Sequence, residues 1–329
     1  MKTFYIFDNF FLPTPYNHRF FVEKFARGFG YSGFDVKIVK RIKDIKEPGF
    51  VMLSTHPFFY SFGNRCRNRN ILLLPSLVLC KVFPFLKKLL LASHKILIRK
   101  LSKSLKGKEI AIIAWFWFRE EKFFNGLGVP VIFTGEYFYG VPEIDYHKAW
   151  REFYMSRGNA IPIIFSADVD PKNIGNGCTN DLYDVAFVGN KGYKSDWYSI
   201  FKNREHSAIF PTPPFIGESE RLDIYKKSKI VLGFHAKDNI RNKVVVERVF
   251  ESLAYGAVCL ADTPYAVEAT DNCAVFVGSK EELERVTDDY LSDNEMVRKK
   301  REAGFRFARE KGTYYRQAMK FINAYNSLF

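Results

Sequence analysis

The sequence predicts an α/β protein made of two Rossmann-like domains that face each other across a cleft. Three observations carry this. Short apolar runs recur along the 329 residues, each ending in a polar or aromatic loop, and several lead into helices with one apolar face. The chain opens with a β-loop-α-β pattern. A turn-rich stretch, PKNIGNGCTN at residues 171–180, then divides it into halves of about 1–175 and 176–329, each long enough to bury a core.

The elements follow in order. Residues 3–7 read as the first strand, closed by Asp8, and a loop with Pro13 and Pro15 leads to a helix from about Asn17. Phe21, Phe25 and Phe29 recur at helical spacing on one face, Gly30 and Gly33 end the helix, and residues 35–39 form the second strand. This opening lacks a G-x-G-x-x-G fingerprint. Further buried strands are expected at 50–54, 110–115, 129–134 and 161–165, then at 185–188, 207–210, 230–234, 258–261 and 274–277. Charged, aromatic helices fill residues 280–329. The last is expected to pack Tyr314, Tyr315 and Phe321 on the first domain.

Residues 225–262 are the most informative stretch: strand, polar loop, helix, glycine stop, strand. Val246, Val249, Phe250, Leu253 and Ala254 form an apolar face, while Glu247, Arg248 and Glu251 gather on the opposite one. In open α/β sheets ligands bind beyond the carboxyl ends of the strands. Carboxylates there grip ribose hydroxyls, and an arginine with helix-start amides holds a diphosphate. The pattern is that of a nucleotide-sugar donor site.

Those residues resemble the C-terminal half of GT-B glycosyltransferases, notably the spore-maturation (CgeB-like) group. The shared positions are Tyr225, the strand 229–232, the loop 239–242 with Arg241, and Arg248, Phe250, Glu251, Leu253 and Gly256. DVAFVGNKGY, residues 184–193, resembles the first strand and phosphate-facing loop of that domain, which implicates Gly189, Asn190 and Lys191. The resemblance implies that Glu251 contacts the donor ribose. Many retaining members carry a second glutamate where Lys243 stands, so inverting and retaining chemistry both stay open. VIFTGEYFYGVPE, residues 131–143, is similar to a segment of α-1,3-fucosyltransferases, also GT-B enzymes. In that register Glu247 holds the ribose, Arg248 the pyrophosphate, and Glu136 acts as the base. Both registers imply a GT-B fold with an N-terminal acceptor domain and a C-terminal donor domain.

Glu136 follows an apolar strand in a tyrosine-rich loop, where burial raises a carboxylate pKa and suits a general base. Asp8 and His56, at other strand ends, are further catalytic candidates. His235 follows IVLGF and is expected near the phosphates. Asp168 and Asp170 form a D-x-D pair beside Pro171, but the six histidines show no metal-ligand spacing, so neither metal nor cofactor is expected.

The formal charge of +14 asks for anionic partners: the nucleotide diphosphate, the acceptor or acidic lipid. No helix-turn-helix, zinc-finger or RNA-recognition pattern appears, which leaves a non-catalytic polyanion- or nucleic-acid-binding protein as the alternative reading. Residues 71–108 mix leucines with lysines, and Lys81, Lys87 and Lys88 interrupt any run of the roughly 18–20 apolar residues that spanning requires. A helix lying on a membrane surface is expected there. The opening MKTFYIFDNFF reads as a strand rather than a secretion signal, and the five cysteines lack a C-x-x-C pair. Together these suggest a cytoplasmic enzyme of cell-surface polysaccharide synthesis that acts on a glycan or lipid-linked acceptor, with the inner membrane face as an expected place of action.

Overall fold

A computed structural model describes residues 2–8, 16–53, 84–115, 117–175, 181–190, 194–212 and 216–329. They form two compact units. The first comprises residues 1–135, 152–163 and 318–329, and the second comprises 136–151 and 164–317. The division expected at 175/176 therefore differs from the structural one. The chain passes between the units four times, and the Glu136 segment belongs to the second.

The first unit holds β1 (Thr3–Phe7), β2 (Asp35–Val39), β3 (Gly49–Leu53), β4 (Ile110–Trp115) and β5 (Val131–Thr134), all parallel, in the order β2-β1-β3-β4-β5. Strands β1, β3 and β4 are buried at every position, as expected of a parallel sheet covered on both faces. Edge strand β2 alternates between half-buried and exposed positions and buries only Val39. Helix Tyr16–Tyr31 lays Phe25 and Phe29 against Phe4, with the Phe29 and Phe4 rings stacked at 4.2 Å. Helix Pro84–Leu105 buries Ile98, Leu101 and Leu105, while Lys95 pairs with Glu120 at 3.6 Å. From residue 95 on, this helix therefore packs into the core, with Arg99, Lys100 and Lys103 exposed. Residues 71–83 and the side chains of 84–91 lie outside the described part.

The apolar run 161–165 is not a strand. It touches β5 through Ile161 N to Phe133 O at 2.9 Å and Ile163 N to Gly135 O at 2.8 Å. Pro162, between them, faces away from β5, and its missing N–H denies that side to a further strand.

The second unit holds β6 (Tyr183–Asn190), β7 (Ser207–Thr212), β8 (Ser228–Leu232), β9 (Val258–Ala261) and β10 (Val275–Phe276), parallel in the order β10-β9-β8-β6-β7. Counted from β6, this repeats the 2-1-3-4-5 order of the first sheet. In that order the chain reverses its direction of growth between the first and third strands, here β6 and β8, and ligands bind beyond their carboxyl ends.

Helix Glu247–Ala254 connects β8 to β9. It ends in a Schellman motif: Ala257 N reaches Ser252 O at 2.9 Å and Gly256 N reaches Leu253 O at 3.3 Å. Gly256 takes the left-handed φ of 88° that this turn needs. The helix Tyr314–Asn326 starts in the second unit and ends in the first, where Phe321 packs on Phe25 at 5.2 Å. Phe321 thus packs as the sequence suggests, whereas Tyr314 stays in the second unit.

Candidate functional site

The β6/β8 switch point in the second unit gathers Glu247, Arg248 and Glu251, three of the charged residues singled out from the sequence. Gly189 and Asn190 end β6, and the segment Gly233 to His235 leaves β8. Helix Glu247–Ala254 starts beside them. Val249 N bonds the carbonyl of the N-cap residue Val246 at 3.1 Å, and no side chain caps the first turn.

Arg248 lies across the end of β6. Its Nη1 donates to Phe234 O at 2.9 Å, and its guanidinium sits 5.4 Å from the centre of the Phe187 ring. At Gly189 an added Cβ would sit 2.7 Å from Arg248 Nη2 and 2.8 Å from Phe187 Cζ. Glycine is what lets the guanidinium come this close to the strand.

The two glutamates have different surroundings. Glu247 is half-buried, and Tyr314 donates to its Oε1 at 2.9 Å. Glu251 has a side chain only 2% exposed, and Arg221 donates to its Oε1 at 2.7 Å. The outward position expected for Glu251 is therefore corrected. Helix Glu218–Lys226 covers that face and supplies Arg221. Burial works against the Arg221 charge, but Glu251 first, then Tyr225 and Glu247, hold its pKa above the ordinary value. Burial pushes the Tyr225 phenol up to about 12, against the pull of Arg248. It also raises Tyr314 well above its usual range, with Glu247 adding to the shift.

His235 is corrected as well. Its side chain and that of Asp262 are fully buried, with Nδ1 2.8 Å from Asp262 Oδ1. Val246 N donates to its Nε2 at 3.3 Å. Both ring nitrogens are engaged by protein, so the ring has none left for a phosphate. Arg241 stands outside the cluster, more than half exposed, paired with Glu143 at 3.2 Å. Lys194 places its ammonium 3.6 Å from the Trp197 ring centre. Lys191 and His56 lie outside the described residues.

Glu136 joins this unit through its own segment. Tyr139 N donates to Lys243 O at 3.0 Å, and Gly140 lies against the Lys243 side chain and Tyr265. Lys243, at φ 59°, thus holds the 136–143 loop. Trp150 Nε1 donates to the Glu136 carbonyl at 2.8 Å, while the carboxyl Oε2 is buried without a hydrogen-bond partner. Burial raises the Glu136 pKa to about 7. Asp8 closes β1 in the first unit, where its amide bonds Val39 O at 2.9 Å.

Buried polar atoms without a partner cluster here too: Arg221 Nε, Arg248 Nε and Asp262 Oδ2. Such atoms are rare in folded proteins and mark places where water or a polar ligand completes the bonding. Asp170 Oδ1 accepts from Lys172 N at 3.0 Å, a turn cap. Among the described residues no three His, Cys, Asp or Glu side chains are grouped to hold a metal. Arg221 and Asp262 had no distinguishing sequence signal, because their partners are 30 and 27 residues away.

Residues 180–323, somewhat under half of the chain, match the glycosyl transferase-like family. The chain is similar over its full length to an E. coli trehalose-6-phosphate structure bound with UDP-2-fluoro glucose, at 11% identity, TM-score 0.57 and 100% coverage of both chains. It is also similar to apo OtsA, at 10% identity, TM-score 0.53 and 99% coverage of both. The fold is GT-B. A T4 phage BGT complex with UDP-glucose aligns at TM-score 0.46 and 12% identity, covering 98% of this chain and 99% of that one. No curated protein sequence matches this chain. In the GT-B frame, the family match falls on the unit that carries Arg248, Glu247 and Gly189.

Proposed function

We propose that the protein is a glycosyltransferase that takes a sugar from a nucleoside-diphosphate donor held by the second unit. The observation that carries this is Arg248, laid over Gly189 at the switch point within the glycosyl transferase-like segment. Its guanidinium and the positive end of helix Glu247–Ala254, which no side chain caps, suit a diphosphate. The UDP sugar in the E. coli neighbour supports the same donor class.

Glu247 is the better ribose ligand of the two glutamates. Its partner is a neutral phenol, which exchanges for a ribose hydroxyl at less cost than the buried Arg221 ion pair of Glu251. Glu136 is the proton acceptor, because a carboxylate with a pKa near 7 and an open oxygen suits general base catalysis. In that step the acceptor hydroxyl forms a bond to the anomeric carbon, and its proton passes to Glu136. The bond from that carbon to the diphosphate breaks, and Arg248 holds the departing charge. Attack assisted by a base in this way inverts the anomeric centre.

The acceptor is a glycan or lipid-linked glycan of the kind used in cell-surface polysaccharide synthesis, reached at an anionic membrane surface. The formal charge of +14 and the leucine-lysine stretch before residue 92 support this. No helix among the described residues is long and apolar enough to cross a membrane.

A panel of UDP-, GDP- and other nucleotide sugars, read by donor hydrolysis and calorimetry, tests the central reading. Absence of binding to every nucleotide would sink it, and binding without turnover would favour a non-catalytic module. Flotation with anionic and neutral liposomes tests the membrane part: recovery with anionic vesicles alone, falling with salt, is expected.

A further inference from the structure

The side chains of His235 and Asp262 are buried beside helix Glu247–Ala254. Their bonding is directional. Asp262 Oδ1 accepts from the His235 amide at 3.0 Å and from the ring Nδ1 at 2.8 Å. The opposite nitrogen, Nε2, accepts from Val246 N at 3.3 Å. A ring nitrogen that accepts from an amide carries no proton, so the single ring proton sits on Nδ1, facing the carboxylate. Val246 is the N-cap of helix Glu247–Ala254.

A second bond crosses the same gap one residue away on one side and two on the other. Arg248 Nη1 donates to Phe234 O at 2.9 Å. Segments 234–235 and 246–248 are thus joined by two hydrogen bonds, one through the imidazole and one through the guanidinium. If the first is lost, the second must carry the alignment alone.

We propose that the Asp262–His235 pair is a positioning device that fixes the first turn of the donor helix and, through it, the guanidinium of Arg248. For its effect on affinity this rests on the nucleotide-donor reading above; the tautomer itself does not.

Three variants separate the links. Val246→Pro deletes the amide donor and alters a side chain packed on the core, but keeps the backbone, because Val246 already has a φ of −75° that proline adopts. Asp262→Ala removes the carboxylate that orients the ring. Asp262→Asn keeps one oxygen able to accept both His235 donors. Nitrogen-15 spectra of wild-type histidines should show His235 neutral, with Nδ1 protonated and Nε2 not. Val246→Pro should weaken UDP or GDP binding about fivefold, the value of one hydrogen bond. Asp262→Ala should weaken it about tenfold, and Asp262→Asn should stay within about twofold of wild type. The double variant Val246→Pro/Asp262→Ala should match Asp262→Ala alone, since the two act through one ring.

An Nε2-protonated or doubly protonated His235 would overturn the proposal. So would a folded Val246→Pro with wild-type affinity. If Val246→Pro and Asp262→Ala fail to fold, the spectrum and Asp262→Asn decide. If wild type binds neither UDP nor GDP, the amides of residues 247–249 decide by hydrogen exchange. Loss of their protection in Asp262→Ala would uphold the positioning role, and unchanged protection would end it.

Discussion

The first sheet and the second have the same strand order and the same parallel direction, yet they differ in what surrounds them. Around β1 and β3 the first unit packs rings on rings: Phe4, Phe25, Phe29, Phe34, Phe50, Phe321 and Tyr325 form a continuous aromatic core. Around the donor helix the second unit packs small residues, among them Ala167, Ala254, Ala261, Ala266, Ala269, Ala274 and Ala308. Small side chains let helix and strand backbones approach closely. That leaves Arg221, Tyr225, Glu247, Arg248 and Glu251 in one polar seam at the switch point. The same topology can serve mainly as a packed scaffold or as a charged cradle. The difference lies in the residues placed at the strand ends, not in the fold.

The largest effect that would sharpen this contrast is on turnover. Glu136→Gln should lower kcat by about 10²- to 10⁴-fold, the usual range for a lost general base, and leave nucleotide affinity nearly unchanged. Wild-type activity should rise with pH through about 7, as the carboxyl gives up its proton. The same group weakens folding in the opposite sense. Its folded pKa is raised, so stability falls as pH climbs from the ordinary value of 4.5 to about 7 and stays lower above that. Glu136→Gln should therefore be more stable than wild type at pH 8, by up to roughly 3 kcal/mol, and show no such gain at pH 4. A flat pH profile for turnover would remove Glu136 from the chemistry.

Next in size is donor affinity. Arg248→Ala should weaken nucleoside diphosphate binding about thirty- to hundredfold in calorimetry, as expected for a lost charge-assisted contact. Asp8→Asn, in the first unit, should leave that affinity within about twofold. Equal losses in both would erase the distinction between the two switch points.

The glutamate pair tests what burial does to each carboxylate. Glu251→Gln leaves the Arg221 charge without its buried anion, and should lower stability by about 2 kcal/mol in denaturant titration. Glu247→Gln should leave stability nearly intact and weaken nucleotide binding about tenfold. The reverse pattern would make Glu251 the ribose ligand.

The smallest effects compare two glycines. Gly189→Ala should weaken nucleotide binding about five- to tenfold, because the new Cβ displaces the Arg248 guanidinium. Gly126→Ala, in the first unit, meets open space and should change neither binding nor folding measurably. If Gly189→Ala is equally silent, the close approach of Arg248 to β6 has no role in binding.

Much of this molecule was legible before any coordinates. Parallel strands buried on both faces are apolar along their buried stretch, so β3, β4 and β9 stand out as unbroken runs, as do residues 4–7 of β1, 185–188 of β6 and 230–232 of β8. The helix with Glu247 and Arg248 stands out because its charges fall at the start of an otherwise apolar repeat. The Glu136 loop was also legible, since a carboxylate directly after a buried strand has few ways to avoid partial burial. Pattern alone misread residues 161–165, which run beside β5 through the amides of Ile161 and Ile163 without forming a strand.

What only the tertiary structure decided is where each charge finds its partner. Periodicity placed Glu251 on an outward face, but helix Glu218–Lys226 covers it and brings Arg221 to 2.7 Å. The His235 strand-end position looked open to a phosphate, yet Asp262 and Val246 occupy both ring nitrogens. Likewise, residues 136–151 precede most of the second unit in sequence and still belong to it. The physical reason is common to all three. Backbone periodicity sets which way a side chain leaves its own element, and that is local. Whether it meets water, a ligand or an opposite charge depends on segments tens of residues away, which only the packing of the whole chain brings together.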